Sequence, residues 1–294
     1  MITGAYDVAA RGAHAVQPGL LDAWRRLLIA RARDDTAGSA TRSCLVVAPH
    51  PDDETLGCGA TIARKRAAGT DVTVVVVADG RYAQRRSSIV TPAQLAEIRA
   101  AELVAACRAL GVADADIVQL GHEDTCVDGV VDDVAATLHE LIARQRPQEI
   151  LVCSGLDHHP DHRAVNRAVH RAVRDMTGDS NAGVLVPPQI REYPVWSWID
   201  GPWLDQRQRT PLGRAVHLVG DPLSSLLRGR PEVVATGDFL SAKRAALAAH
   251  ESQTTRMTQE PEWAVMDDEL LDLFLGDVEV FLTRSPIDRS TRRC

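Results

Sequence analysis

The stretch LVVAPHPDDETLGCGA, residues 45–60, decides how the chain is read. Its first four residues are apolar without alternation, the pattern of a strand covered on both faces and therefore central in its sheet. The run stops at Pro49, and His50, Asp52, Asp53 and Glu54 follow at once. A helical pattern begins near Thr55. A strand that ends in ionisable chemistry and enters a helix is half of a βαβ unit, and open parallel sheets bind ligands at the carboxyl ends of their strands.

Working outward, apolar strand-like runs alternate with longer helical ones from Cys44 to about Asp175. Strands are expected at 44–48, 72–78, 116–120 and 149–154, with helices near 55–68, 93–110 and 130–145 and another after Pro160. The runs LVVA and VTVVVV are apolar throughout, so both are expected to be central. Polar residues gather after every strand: Asp79 after the second, His122 and Asp124 after the third, and DHHPDH (157–162) after the fourth. The expected fold class is α/β, a Rossmann-like, mostly parallel sheet flanked by helices in a single domain.

Residues 43–284 are expected to form that domain. Residues 1–42 read as an N-terminal extension, a helix LLDAWRRLLIARA (20–32) packed on the domain followed by a polar linker RDDTAGSATRS (33–43), and residues 285–294 as a flexible tail. After residue 183 come the Pro- and Trp-rich VPPQIREYPVWSWIDGPW, a short run PEVVATGD (231–238) and a helix FLSAKRAALAAHESQT (239–254).

With 294 residues and 45% hydrophobic content the chain can bury a full core. Its net charge of −7 is dispersed, without the basic stripe that nucleic-acid binding requires. No apolar run approaches the roughly 20 residues of a membrane span, and MITGAYDVAARGAH lacks the regions of a signal peptide, so a cytoplasmic location is expected. The six cysteines form no CxxC pair and read as reduced and mostly structural.

In HPDDE, His50 and Asp53 are close enough to hold one metal ion from a single turn, while the adjacent Asp52 points elsewhere and can face a bound water. An acidified water beside a carboxylate that takes its proton is machinery for hydrolysing an amide. A simpler explanation is that the aspartates cap the helix that follows, which accounts for one of them but not for His50. In LDHHPDHRAVNRAV, Pro160 suits a first helical turn, and His159 and His162 share one face, supplying a further ligand and a free imidazole. Two histidines and an aspartate with open positions make a catalytic rather than a structural metal site. His158 and His170 read as peripheral. No G-x-G-x-x-G turn follows the first strand, which argues against a nucleotide-dependent Rossmann enzyme, and the glycines of GCGA are expected to permit close packing.

At this point the sequence resembles a family. APHPDDE (48–54), EIRAAELVAACRALGV (97–112), LGHEDT (120–125), HPDH (159–162) and KRAALAAHESQ (243–253) look like the PIG-L/LmbE-like zinc-dependent N-deacetylases, in order over most of the chain. The resemblance implies zinc on His50, Asp53 and His162, Asp52 as general base on zinc-bound water, and His159 stabilising the oxyanion or protonating the departing amine, a role suited to an imidazolium. Arg99 and Asp124 match substrate-binding positions; for Arg99 an exposed pairing with Glu97 or Glu102 is the alternative. Asp161 and Glu54 match supporting positions behind the ligands, and His250, Ser252 and Gln253 a late motif that packs near the site. Asp157 and His158 depart from the pattern, standing where some relatives have an aromatic or glycine-rich approach.

The implied reaction removes an acetyl or other acyl group from an amine of a small glycoconjugate of N-acetylglucosaminyl type. Zn2+ or another divalent metal is the expected cofactor, a small N-acylated amino sugar the expected partner, and homo-oligomerisation is left open. Tyr193, Trp196, Trp198 and Trp203 form either a wall for a sugar face or ordinary core. The alternatives are an amidase of a thiol or secondary-metabolite conjugate, and a non-catalytic module that binds sugar or nucleotide on the same fold.

Overall fold

The computed structural model describes residues 18–178, 186–201 and 229–284. The first seventeen residues of the extension, Trp203 and the expected tail lie outside the described residues. In chain order the strands are β1 (Arg33–Asp34), β2 (Cys44–Ala48), β3 (Val72–Ala78), β4 (Ile117–His122), β5 (Glu149–Cys153), β6 (Gln189–Tyr193), β7 (Gly229–Ala235) and β8 (Val278–Arg284). The helices are α1 (Pro18–Arg31), α2 (Thr36–Ala40), α3 (Asp53–Ala67), α4 (Pro92–Ala109), α5 (Val131–Gln145), α6 (Pro160–Gly178), α7 (Trp196–Asp200), α8 (Leu240–Ala249), α9 (Glu251–Thr254) and α10 (Asp268–Asp272).

One eight-stranded sheet runs in the order β1-β7-β8-β6-β5-β2-β3-β4. Every neighbouring pair is parallel except the two that involve β8. β2, β3 and β5 are buried at every residue, as expected of apolar runs in the middle of a parallel sheet. From β2 the chain builds β3 and β4 on one side, then crosses back to place β5 on the other. The loops leaving β2 and β5 therefore diverge at the sheet's carboxyl edge, the switch point at which such folds bind ligands.

The flanking helices follow from their sequences. α4 opens with a reciprocal capping box between Thr91 and Gln94 and Pro92 at its first turn, and α5 buries Val134, Leu138, Leu141 and Ile142, a stripe at helical spacing. α3 lies so close to β6 that a Cβ on Gly57 would stand 2.1 Å from the Tyr193 ring, which makes GCGA a packing feature, as expected.

Three expectations are corrected. The stretch 33–43 is no linker: β1 pairs with β7 and α2 follows, held because Arg42 pairs with Asp35 and, at 2.6 Å, with Glu149. The late helix is two, α8 and α9, broken at His250, whose ψ of 58° is non-helical. β6 and β8 were not foreseen. Their charged residues are buried against distant partners: Arg191 lies 3.0 Å from Glu232, and Glu279 lies 2.7 Å from Lys243. Among the described residues no helix is long and apolar enough to cross a membrane.

Candidate active site

The turn between β2 and α3 carries the first part of the site. Asp52 stands at the N-cap position of α3 with φ 126°, a region that disfavours any side chain, and its carboxylate makes no capping hydrogen bond. Capping therefore does not account for it. The backbone is held there by Glu54, whose Oε2 accepts the Asp52 amide at 3.1 Å and whose Oε1 faces His250 Nε2 at 3.1 Å. Strain of this kind persists only where the surroundings enforce it, and it gathers at functional sites.

Asp52 Oδ2 accepts a hydrogen bond from Arg99 at 3.0 Å. Arg99 is buried, and its other donors go to the carbonyls of Pro51 and, at 3.1 Å, Gly80. Gly80 has φ 65°, and a Cβ there would stand 2.3 Å from the guanidinium. Arg99 is thus buried rather than the exposed arginine of the alternative reading with Glu97 or Glu102, and Glu102 accepts from the amide and hydroxyl of Ser252, at 2.6 and 2.7 Å. Burial pushes Asp52 up to about 6, against the pull of the Arg99 charge.

Asp53 opens α3, where a carboxylate suits the helix dipole, and its Oδ2 accepts the His50 amide at 3.1 Å. The same oxygen lies 3.4 Å from His50 Nδ1 and 3.2 Å from His162 Nε2. Each imidazole has a carboxylate behind it. His162 Nδ1 donates to Asp157 at 2.9 Å, and His50 Nε2 lies 3.1 Å from Asp161 and 3.2 Å from Asp124. These bonds fix the tautomers and turn the two remaining lone pairs toward Asp53.

This arrangement fits a cation. His162 Nε2 is fully buried and makes no hydrogen bond despite its nearness to Asp53. Ligands about 2.0–2.2 Å from a tetrahedral ion stand about 3.3–3.6 Å from one another, and the two separations from Asp53 Oδ2, 3.4 and 3.2 Å, are close to that. Burial opposes charge on both imidazoles, yet their carboxylates hold both well above the usual histidine value, and the imidazoles in turn hold Asp53 well below the carboxylate range. The pocket thus demands positive charge. Among the described residues, the groups of three whose ligand atoms all lie within 4.8 Å of one another are His50, His159 and His162, and His50, Asp124 and Asp161; Asp53 belongs to neither.

His159 and Trp196 stand over this floor. His159 Nδ1 accepts the Asp161 amide at 3.3 Å, which leaves Nε2 as the N–H, and its ring stacks on Trp196 at 13° with centroids 6.0 Å apart. Burial and the charge on His50 and His162 push His159 down to about 3. That environment disfavours its imidazolium form. Asp52, Asp53, Arg99, Asp124, His159 and Trp196 line an open cleft, with Tyr82 and Arg85 also in its wall.

The aromatic segment divides. Trp196 faces the cleft, whereas Tyr193 is fully buried and Trp198 packs on Trp24 with centroids 6.0 Å apart. His170 pairs with Glu192 at 3.1 Å, about two turns along α6 from His162. Sequence reasoning missed Asp157, Tyr82 and Arg85. Tyr82 and Arg85 follow β3 on the ligand-binding edge, a signal that was available.

Residues 45–173 match the family model described as PIG-L: GlcNAc-PI de-N-acetylase. A 1D-myo-inositol 2-acetamido-2-deoxy-alpha-D-glucopyranoside deacetylase 2 of Catenulispora acidiphila is 31% identical over 262 residues, spanning 74% of this chain and 82% of the relative. The chain belongs to the PIG-L family of N-deacetylases. The matched PIG-L segment runs from β2 into α6 and contains His50, Asp52, Asp53, Asp157, His159 and His162, while Trp196 and His250 lie beyond it. Among solved structures, N,N'-diacetylchitobiose deacetylase from Pyrococcus horikoshii matches with TM-score 0.60 at 18% identity, over 92% of this chain and 94% of its own. The 4-carboxy-2-hydroxymuconate hydratase GalB of Pseudomonas putida matches with TM-score 0.55 at 16% identity, over 86% of this chain and 100% of its own. A deacetylase and a hydratase share the PIG-L architecture, so fold alone does not choose the reaction.

Proposed function

We propose that this deacetylase uses zinc held by His50, Asp53 and His162 to hydrolyse the acetamide of a small N-acetylglucosaminyl conjugate. The observation that carries the reading is the convergence of two imidazole nitrogens on Asp53 Oδ2, each imidazole with a carboxylate behind it. The 2-acetamido sugar in the relative's name supports the substrate class. A bound divalent ion supplies a Lewis acid for an attacking water and the acyl oxygen.

The protein's own groups do the rest. Asp52, raised to about 6 by burial, is ionised at neutral pH yet basic enough to take a proton from water as it attacks the acyl carbon. The neutral Nε2–H of His159 donates to the oxyanion that develops. When the carbon–nitrogen bond breaks, protonated Asp52 returns its proton to the departing amine, so acetic acid and free amine form, which exchange a proton to give acetate and ammonium, and the Asp52 carboxylate is restored. Arg99 holds Asp52 in its strained turn, Glu54 and His250 hold the backbone beneath it, and Asp124 and Asp161 orient His50. Any contact of Arg99 or Asp124 with substrate comes in addition to these bonds.

In this reading residues 43–284 form the catalytic unit, the extension adds an edge strand to its sheet, and the enzyme works in the cytoplasm. The test is metal content of the purified chain together with amine release from an N-acetylglucosamine glycoside before and after chelation. About one zinc per chain and chelator-sensitive release are expected. Absence of metal binding under any loading condition refutes the site and favours the sugar-binding module; bound metal without release points to another acyl conjugate.

A further inference from the structure

We propose that Asp157 is a positioning residue that ties the metal ligand His162 to the segment carrying Trp196, so that loading the metal also sets the tryptophan over the cleft. The proposal rests on the metal-site reading above. Asp157 is fully buried, just past the end of β5. Its Oδ2 accepts from His162 Nδ1 at 2.9 Å and from the Val195 amide at 3.2 Å. Its Oδ1 accepts from the Ser197 amide at 2.8 Å and the Ser197 hydroxyl at 2.6 Å. A carboxylate offers about four acceptor positions, and four donors answer them here.

Those donors come from two places with different work. His162 belongs to the metal floor. Val195 and Ser197 flank Trp196 at the start of α7, a turn that has no side-chain cap of its own. Asp157 supplies from another element the acceptor this turn lacks, next to donors that would otherwise be buried without one. Trp196 is thereby fixed parallel to His159 and edge-on to His162, with centroids 6.0 and 6.5 Å away. A shift of the His162 ring is passed through one rigid carboxylate to the backbone on both sides of the tryptophan.

An amide cannot replace this carboxylate. With its oxygen kept by Ser197, Asn at position 157 turns an N–H toward His162 Nδ1. The imidazole must then carry its proton on Nε2, the atom whose lone pair faces Asp53.

The test uses the full chain, stripped by chelation and titrated with zinc against a chromophoric chelator while tryptophan emission is followed. In the wild type, emission is expected to change in step with zinc occupancy, and Trp196→Phe to remove most of that change while zinc still binds. Asp157→Asn is expected to weaken zinc about 10–100-fold. Ser197→Ala keeps the His162 bond; it is expected to leave zinc affinity unaltered, to blunt the emission change and to raise KM more than it lowers kcat. If Asp157→Asn does not fold, the Ser197→Ala pattern decides. Wild-type zinc affinity in a folded Asp157→Asn variant, or an emission change indifferent to Trp196→Phe and Ser197→Ala, overturns the proposal alone. Failure of the wild type to bind zinc overturns the metal-site reading, and the proposal with it.

Discussion

Replacing Arg99 by methionine keeps much of the buried stem and removes the charge 3.0 Å from Asp52 Oδ2. An opposite charge this close ordinarily moves a carboxylate by about 1–3 pH units. Arg99 is the largest influence holding Asp52 down, against burial and the neighbouring Asp53, which push it up to about 6. The acid form of Asp52 is the inactive one, so activity should rise with pH through the Asp52 limb, and losing Arg99 should move that limb upward by about 1–3 units, or about 1.4–4 kcal/mol. A cation bound at Asp53 pulls the limb down in both proteins and leaves the direction of the difference unchanged.

The assay is the pH dependence of kcat/KM for amine release, which reports groups of the free enzyme. Below the limb each unit of displacement costs the variant about tenfold in rate. Arg99→Lys controls for structure: it keeps the charge and disturbs the bonds to Pro51 and Gly80, so its limb should lie nearer the wild type even if its plateau falls. A limb that stays in place or moves to lower pH in Arg99→Met refutes Asp52 as the base under Arg99's control.

Gly80→Ala places a Cβ 2.3 Å from the Arg99 guanidinium on a backbone with φ 65°, and should displace the arginine and shift the same limb upward; an unshifted profile in a folded variant would separate Arg99's position from Asp52's acidity. Asp52→Asn should lose nearly all turnover while still binding metal, checked by elemental analysis beside the rate assay, whereas His162→Ala should lose the metal. Saturating zinc at about 100 times its Kd should stabilise the folded state by about 2.7 kcal/mol, an increase in Tm of several degrees that excess chelator reverses. Gly57→Ala drives a methyl to 2.1 Å from the Tyr193 ring, and should lower the denaturant midpoint by an amount worth about 1–3 kcal/mol.

What the sequence made legible follows from how far each residue's partners lie along the chain. β2 and β3 fall where expected because their residues are apolar throughout and need nothing but burial. β6 and β8 escaped because Arg191, Glu192 and Glu279 look like surface charges until the sheet brings Glu232, His170 and Lys243 against them. Buried charge is tolerated only with such partners, and periodicity cannot announce them. The residues of the proposed metal floor stood out because each half is local: His50 and Asp53 share one turn, and His162 lies in the first turn of the helix that His159 immediately precedes.

The residues that aim this floor were not readable in the same way. From the sequence Arg99 reads as substrate-binding or as paired with Glu97 or Glu102, and its bond to Asp52 comes from a turn far from it along the chain. Asp157 stood out only as a departure from the family pattern. Its meaning appears when β6 delivers Val195 and Ser197 to the same carboxylate that receives His162. Ligand identity is thus local chemistry, repeated wherever the motif occurs, whereas ligand orientation depends on the rest of this fold. Variation among relatives that share the floor should therefore act through what surrounds it, and in the proposal above Asp157 is the position at which this chain joins its surrounding wall to the metal site.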